Sequence, residues 1–128
     1  MEKRIITTDK APKPIGPYSV GVEAGSFIFT AGQIAIDPAT GDIVEGGVAA
    51  ETRQVLTNIQ SILAAAGSSL DHVVKTTVFL RDMNDFTAMN AVYAEFFTKM
   101  PPARSTIAVA GLPKNVAVEI ETIAIKPV

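Results

Sequence analysis

Apolar and polar positions follow two rhythms along this chain. Phe27 to Ile34, Val73 to Leu80, Ser105 to Ala110 and Val116 to Ile125 are rich in β-branched residues and read as strands. Ser19 to Glu23 reads as one more, joined to Phe27 through Ala24-Gly25-Ser26 as a hairpin. Between Val48 and Ala66 the period changes. Val55, Leu56, Ile59, Ile62, Leu63 and Ala66 fall on one helical face, opposite Arg53, Gln54, Thr57, Asn58, Gln60 and Ser61, and Gly67 is placed to end the helix. A second helix is expected over Asp85 to Thr98, with Phe86, Met89, Tyr93, Phe96 and Phe97 as its stripe and Asn84 or Asp85 as its cap. Pro101-Pro102 stops it. Gly111-Leu112-Pro113-Lys114-Asn115 reads as the turn of a closing hairpin between the last two strands.

The order β-β-α-β-α-β-β predicts a mixed β-sheet carrying two helices on one face, in one domain spanning residues 1–128. Ala11-Pro12-Lys13-Pro14-Ile15-Gly16-Pro17-Tyr18 precedes it as an extended arm, because its three prolines cannot donate to a ladder. Two helices cover one sheet face only. The last strand nevertheless puts Val118, Ile120 and Ala124 on one side and Ala117, Ile123 and Ile125 on the other, so both faces are apolar. A second copy of the chain is the economical cover, and a homo-oligomer is expected.

Composition narrows the chemistry. The 128 residues are 48% hydrophobic and 19% charged, and the formal net charge of -2 leaves no cationic surplus for phosphate backbones, so nucleic acid is not expected as a partner. The absence of cysteine removes disulfides, thiolate catalysis and Cys-built metal sites. The single histidine, His72, follows Asp71 at a strand start and reads as a solvated or capping residue. No apolar run reaches membrane-spanning length and the amino terminus lacks the apolar core of a secretion signal, so no membrane association is expected and a cytoplasmic location is the default.

Phosphate loops, dinucleotide fingerprints and nucleophile elbows are missing from the sequence. What remains is a charged constellation. Glu119 and Glu121 alternate onto one face of the last strand inside an aliphatic segment, and the expected closing hairpin would bring Arg104 near them. Such a pattern fits a cross-strand ion pair. It also fits a site: Arg104 follows Pro101-Pro102-Ala103, and a guanidinium fixed by a stiff segment can hold a small carboxylate through two charge-assisted hydrogen bonds.

Pro102-Ala103-Arg104-Ser105-Thr106-Ile107-Ala108-Val109-Ala110-Gly111-Leu112, followed after five residues by Val118-Glu119-Ile120, resembles the signature of the RidA family, also called YjgF/YER057c/UK114. Ala11-Pro12, Ile15-Gly16-Pro17-Tyr18, Ala31-Gly32-Gln33, Val74 to Phe79 and Asn90-Ala91-Val92-Tyr93 extend the resemblance over nearly the whole chain. It implies an α+β fold, chorismate-mutase-like, and a homotrimer with clefts between neighbouring subunits. The implied activity is that of a 2-iminobutanoate/2-iminopropanoate deaminase, which hydrolyses enamines and imines released by pyridoxal-phosphate enzymes to 2-oxo acids and ammonia. No cofactor and no metal are implied. By the same resemblance Glu119 is the catalytic residue that orients water, Arg104 binds the substrate carboxylate, and Tyr18, Gly32, Asn90 and Thr106 line the cleft. Thr106 stands where many relatives carry a cysteine. The alternatives are a non-catalytic regulatory trimer that binds small carboxylates and, fitting the acidic balance poorly, a ribonuclease or translation inhibitor.

Overall fold

The computed structural model describes residues 2–128. Six strands form one mixed sheet: β1 (Lys3–Ile6), β2 (Gly21–Ala24), β3 (Phe27–Thr30), β4 (Val73–Leu80), β5 (Ala103–Ala108) and β6 (Val118–Ile125), in the order β1-β2-β3-β6-β4-β5. Helices α1 (Gly47–Ala65) and α2 (Phe86–Phe96) pack on each other over one face. The architecture is α+β, as the family resemblance implies, with the mixed sheet and two helices that the pattern predicts.

Helix α1 forms where the 3.6-residue period is cleanest, and Val55, Leu56, Ile59, Ile62 and Leu63 are all fully buried against the sheet. It closes at Gly67, whose φ of 78° lets Ser68 N–H reach back to Leu63 O at 2.9 Å. Helix α2 is shorter than its sequence pattern suggests. Asp82 caps the single turn Met83–Asp85 by accepting from Asn84 N–H at 2.9 Å, and Asp85 makes no side-chain cap. No helix among the described residues is long and apolar enough to cross a membrane.

Two features depart from the sequence expectation. Lys3–Ile6 is an edge strand antiparallel to β2, although its charged start carries no alternation. More consequentially, β5 and β6 are not a hairpin. Strand β5 runs parallel to β4, and β4 separates it from β6. Helix α2 supplies the crossover that a parallel neighbour needs, while the segment from Val109 to Ala117 carries the chain back past β4 to insert β6 beside β3.

Strand β6 sets the two faces of the sheet. Val118, Ile120, Thr122 and Ala124 are buried beneath the helices, whereas Glu119, Glu121, Ile123 and Ile125 point to the other side. There they lie beside Phe27 and Phe29 of β3 and Phe79 and Thr77 of β4, by register. Phe27, Phe29, Ile107 and Ile125 remain exposed, so the apolar second face read from the sequence is present and none of the described residues covers it.

Candidate functional site

Strand parity decides where the charged residues go. Arg104 aligns with Thr76 in the parallel β4–β5 ladder, and residues so paired share a face. Thr76 is fully buried under the helices, which puts Arg104 on the helix-covered face. Glu119 aligns with Phe79, one parity step away, on the open face. The expectation that Arg104 lies near Glu119 and Glu121 is therefore wrong for a single chain, and the cross-strand ion pair is absent. Its cause is the pairing of β5 with β4 in place of β6.

Around Arg104 the site is built by α2. The Nη1 group donates to Asn90 Oδ1 at 2.7 Å, and the guanidinium carbon lies 4.7 Å from the Tyr93 ring centroid and 5.4 Å from that of Phe86. Tyr93 is itself fixed, its hydroxyl 2.7 Å from Thr76 Oγ1. Burial pushes the Tyr93 phenol up from its usual value of 10.0, against the opposing effects of Thr76 and the Arg104 charge. Thr106, two residues on and on the same face, has a buried hydroxyl without any hydrogen-bond partner. An orphaned hydroxyl beside an arginine with spare donors suits a bound anion or water.

Glu119 opens into a second locus. Together with Tyr18, Gly32, Gln33, Lys13 and Pro113 it lines a cleft of about 310 Å³, roofed by the proline-rich arm. The floor is held by two devices. Gln33 exchanges backbone hydrogen bonds with Ile120, at 2.8 and 3.2 Å, and the fully buried Asn58 of α1 donates to Ile36 O at 2.9 Å while accepting from Gln54. Gly32 leaves room for the carboxyl in its present place: a Cβ there would overlap Glu119 Oε2 and lie 2.9 Å from Cδ, so any larger residue would swing the side chain aside. Tyr18 is half exposed, and its hydroxyl accepts from Ile15 N–H at 3.3 Å, folding the arm back on itself. Desolvation, and secondarily the neighbouring Glu121, push the Glu119 carboxyl above its ordinary 4.5. A raised carboxyl holds a proton more readily, which suits a group that must both take and give one.

The residues named from the sequence thus form two groups. Tyr18, Gly32 and Glu119 meet in the cleft; Arg104, Asn90 and Thr106 meet at the β5 edge on the opposite face. Lys13, Gln33, Phe86 and Tyr93 were missed as site residues. Phe86, Asn90 and Tyr93 share one face of α2 by their spacing, a signal that reads equally as a core stripe. His72 is half-buried, its Nδ1 3.0 Å from Ser69 Oγ, a side-chain contact that caps no backbone group of the turn Leu70–His72.

Residues 8–126 match the family model described as Endoribonuclease L-PSP. A RutC family protein of Pyrococcus horikoshii is 59% identical over 124 residues, covering 97% of this chain and 98% of that protein. The 2-iminobutanoate/2-iminopropanoate deaminase of Capra hircus is 52% identical over 124 residues, covering 97% and 90% respectively. Among solved structures, that of E. coli TdcF with bound serine superposes with a TM-score of 0.93 at 46% identity, covering 97% of this chain and 99% of TdcF.

Proposed function

The chain belongs to the Endoribonuclease L-PSP family, the YjgF/RidA family, and from that premise we propose that it hydrolyses 2-imino acids and their enamine tautomers to 2-oxo acids and ammonia. One observation carries the reading: Arg104 is held in a single pose by Asn90, Phe86 and Tyr93 yet has no carboxylate of its own within ion-pair distance. A guanidinium so fixed is a receptor for a planar carboxylate. The goat relative's name as an imine deaminase supports the reaction class.

Because Arg104 and Glu119 lie on opposite faces, the reaction needs two copies. In a homotrimer the β5 edge of one copy lies against the open face of the next, so that Arg104 of one copy and the Tyr18–Gly32–Glu119 cleft of its neighbour enclose one substrate. Arg104 binds the carboxylate. Glu119 accepts a proton from the attacking water as its oxygen bonds to the imine carbon, then returns it to nitrogen. The hydroxyl of the resulting carbinolamine then passes its proton to nitrogen through the same carboxyl, the carbon–nitrogen bond breaks, ammonia leaves and the carbonyl forms. Imines already hydrolyse in water, so the site supplies a modest acceleration by orientation.

The test is a pyridoxal-phosphate threonine dehydratase assay with threonine as feed: added protein should speed ammonia release, and an unchanged rate refutes the activity. Arg104→Ala and Glu119→Gln should each abolish the acceleration. Co-refolding the two inactive variants in equal amounts should restore about a quarter of the sites, because random assembly pairs an intact Arg104 with an intact Glu119 at that frequency. No recovery refutes sharing between copies.

Bound serine in TdcF favours a second reading, a receptor for small amino-acid carboxylates without turnover. Tight binding of such ligands with no effect in the dehydratase assay would select it. The net charge of -2 supports a small-molecule ligand over RNA for either reading.

A further inference from the structure

Three side chains of α2 converge on Arg104. Phe86, Asn90 and Tyr93 occupy one helical face, and each touches the guanidinium, through two aromatic rings and one amide oxygen. The Tyr93 ring is doubly anchored, since its hydroxyl bonds Thr76 and it packs on Phe97 with centroids 4.6 Å apart. Thr76 is also the β4 residue paired with Arg104 in the sheet. The ring that supports the arginine and the strand that carries it are therefore tied at the same register position.

This arrangement commits part of the guanidinium and leaves part open. Nη1 is turned to Asn90, so the edge formed by Nε and Nη2 keeps two parallel N–H donors, the pair that matches a carboxylate's two oxygens. An arginine on a flexible stem would have to be frozen each time it bound. Resting on the carboxylate-binding role given to Arg104 above, we propose that Tyr93 and Phe86 are positioning residues that hold the Nε–Nη2 edge of Arg104 ready for a planar carboxylate. They act through Arg104 and touch no substrate. The carboxylate is gripped alike before and during the reaction, so their loss raises KM and leaves kcat near its original value.

The experiment compares Tyr93→Leu, which removes the aromatic face, with Tyr93→Phe, which keeps the face and loses only the bond to Thr76. Tyr93→Leu should weaken binding of 2-oxobutanoate, measured by calorimetry, about three- to thirtyfold and raise KM for the imine in parallel. Tyr93→Phe should stay within about threefold of the parent. Tyr93 is buried, so Phe86→Leu, at a partly buried position, gives the second variant and should weaken binding in the same sense. Nitrogen-15 relaxation of the Arg104 Nε–H supplies a readout that general destabilisation does not move: it should report a mobile side chain in both Leu variants and a rigid one in Tyr93→Phe. Unchanged affinity and a rigid Arg104 in the Leu variants overturn the proposal, as does a Phe variant as impaired as the Leu one. If the parent binds 2-oxobutanoate but fails the dehydratase assay, the hydrolysis reading falls while the affinity series still decides this one. If it binds no carboxylate, both fall.

Discussion

Arg104 and Glu119 stand two strands apart in one sheet, yet α2 surrounds the first with an amide and two rings while the second faces away from both helices. Apart from the unpartnered Thr106 hydroxyl, the helix-covered face completes what it holds: Thr30 and Thr122 pair their buried hydroxyls at 2.9 Å, Thr76 pairs with Tyr93, and Arg104 has a built seat. On the open face Phe27, Phe29 and Ile125 remain exposed, and Glu119 is desolvated beside Glu121 with no ion pair among the described residues. Glu23, at the far side of the sheet, shows the contrast in titration, since hydrogen bonds from Arg4 and Lys126 hold its carboxyl below the ordinary 4.5. One face of this chain is finished and the other is prepared for something that brings positive charge and apolar cover.

The largest test of that contrast is chemical. Glu119→Gln preserves shape and should return imine hydrolysis to its rate in water alone, while 2-oxobutanoate affinity, set by Arg104, changes little. Equal loss of affinity would place both residues in one binding function and dissolve the division between faces. Next comes packing. Ile120→Ala, at a fully buried position, should cost about 2–5 kcal/mol in urea unfolding, whereas Ile125→Ala on the open face should cost under about 1 kcal/mol once dilution separates the copies. Similar costs for both in dilute protein would show that the open face is covered from within. Gly32→Ala follows, because the new methyl swings the Glu119 carboxyl aside; activity should fall while stability changes by under about 1 kcal/mol. An unaffected rate would remove Gly32 from the site.

The smallest effect concerns pH. The folded chain holds Glu119 above its ordinary 4.5, so folding favours the protonated form, and the resulting stability is present below 4.5 and lost as pH rises through the raised value. In a chain kept apart by Phe29→Asp on the open face, Glu119→Gln should therefore raise Tm at pH 7, and the gain should vanish below pH 4.5. In the assembled protein the partner's Arg104 against Glu119 would reverse the sign at pH 7. A gain independent of pH would assign the effect to something other than ionisation.

Much of this was legible in the chain because it is local. The period of α1 placed that helix within one residue at each end, and the alternation in Val116 to Ile125 was enough to show two apolar faces. Strand pairing is not local. Ser105 to Ala110 reads as a strand wherever its partner lies, and the glycine and proline of Gly111 to Asn115 mimic a hairpin turn although the chain there spans the width of β4. That one error moved Arg104 to the wrong face. Tyr18, Gly32 and Glu119 gather because Gln33 bridges to Ile120 across most of the sequence, a pairing no spacing rule announces, and only the family resemblance named them together. The N-terminal strand was hidden for an energetic reason: three of its four residues are exposed, so burial left no pattern to read.

The intervening β4 strand has a consequence in mass action. No motion of a loop can bring Arg104 and Glu119 to the same side, since a strand cannot be crossed without dismantling the sheet. A lone copy retains the arginine seat and can still hold a carboxylate, but it lacks the acid–base partner. On the proposed shared site, receptor and catalyst are two ends of one association equilibrium, and the protein's own concentration, through the order with which activity rises above linearity, selects between them.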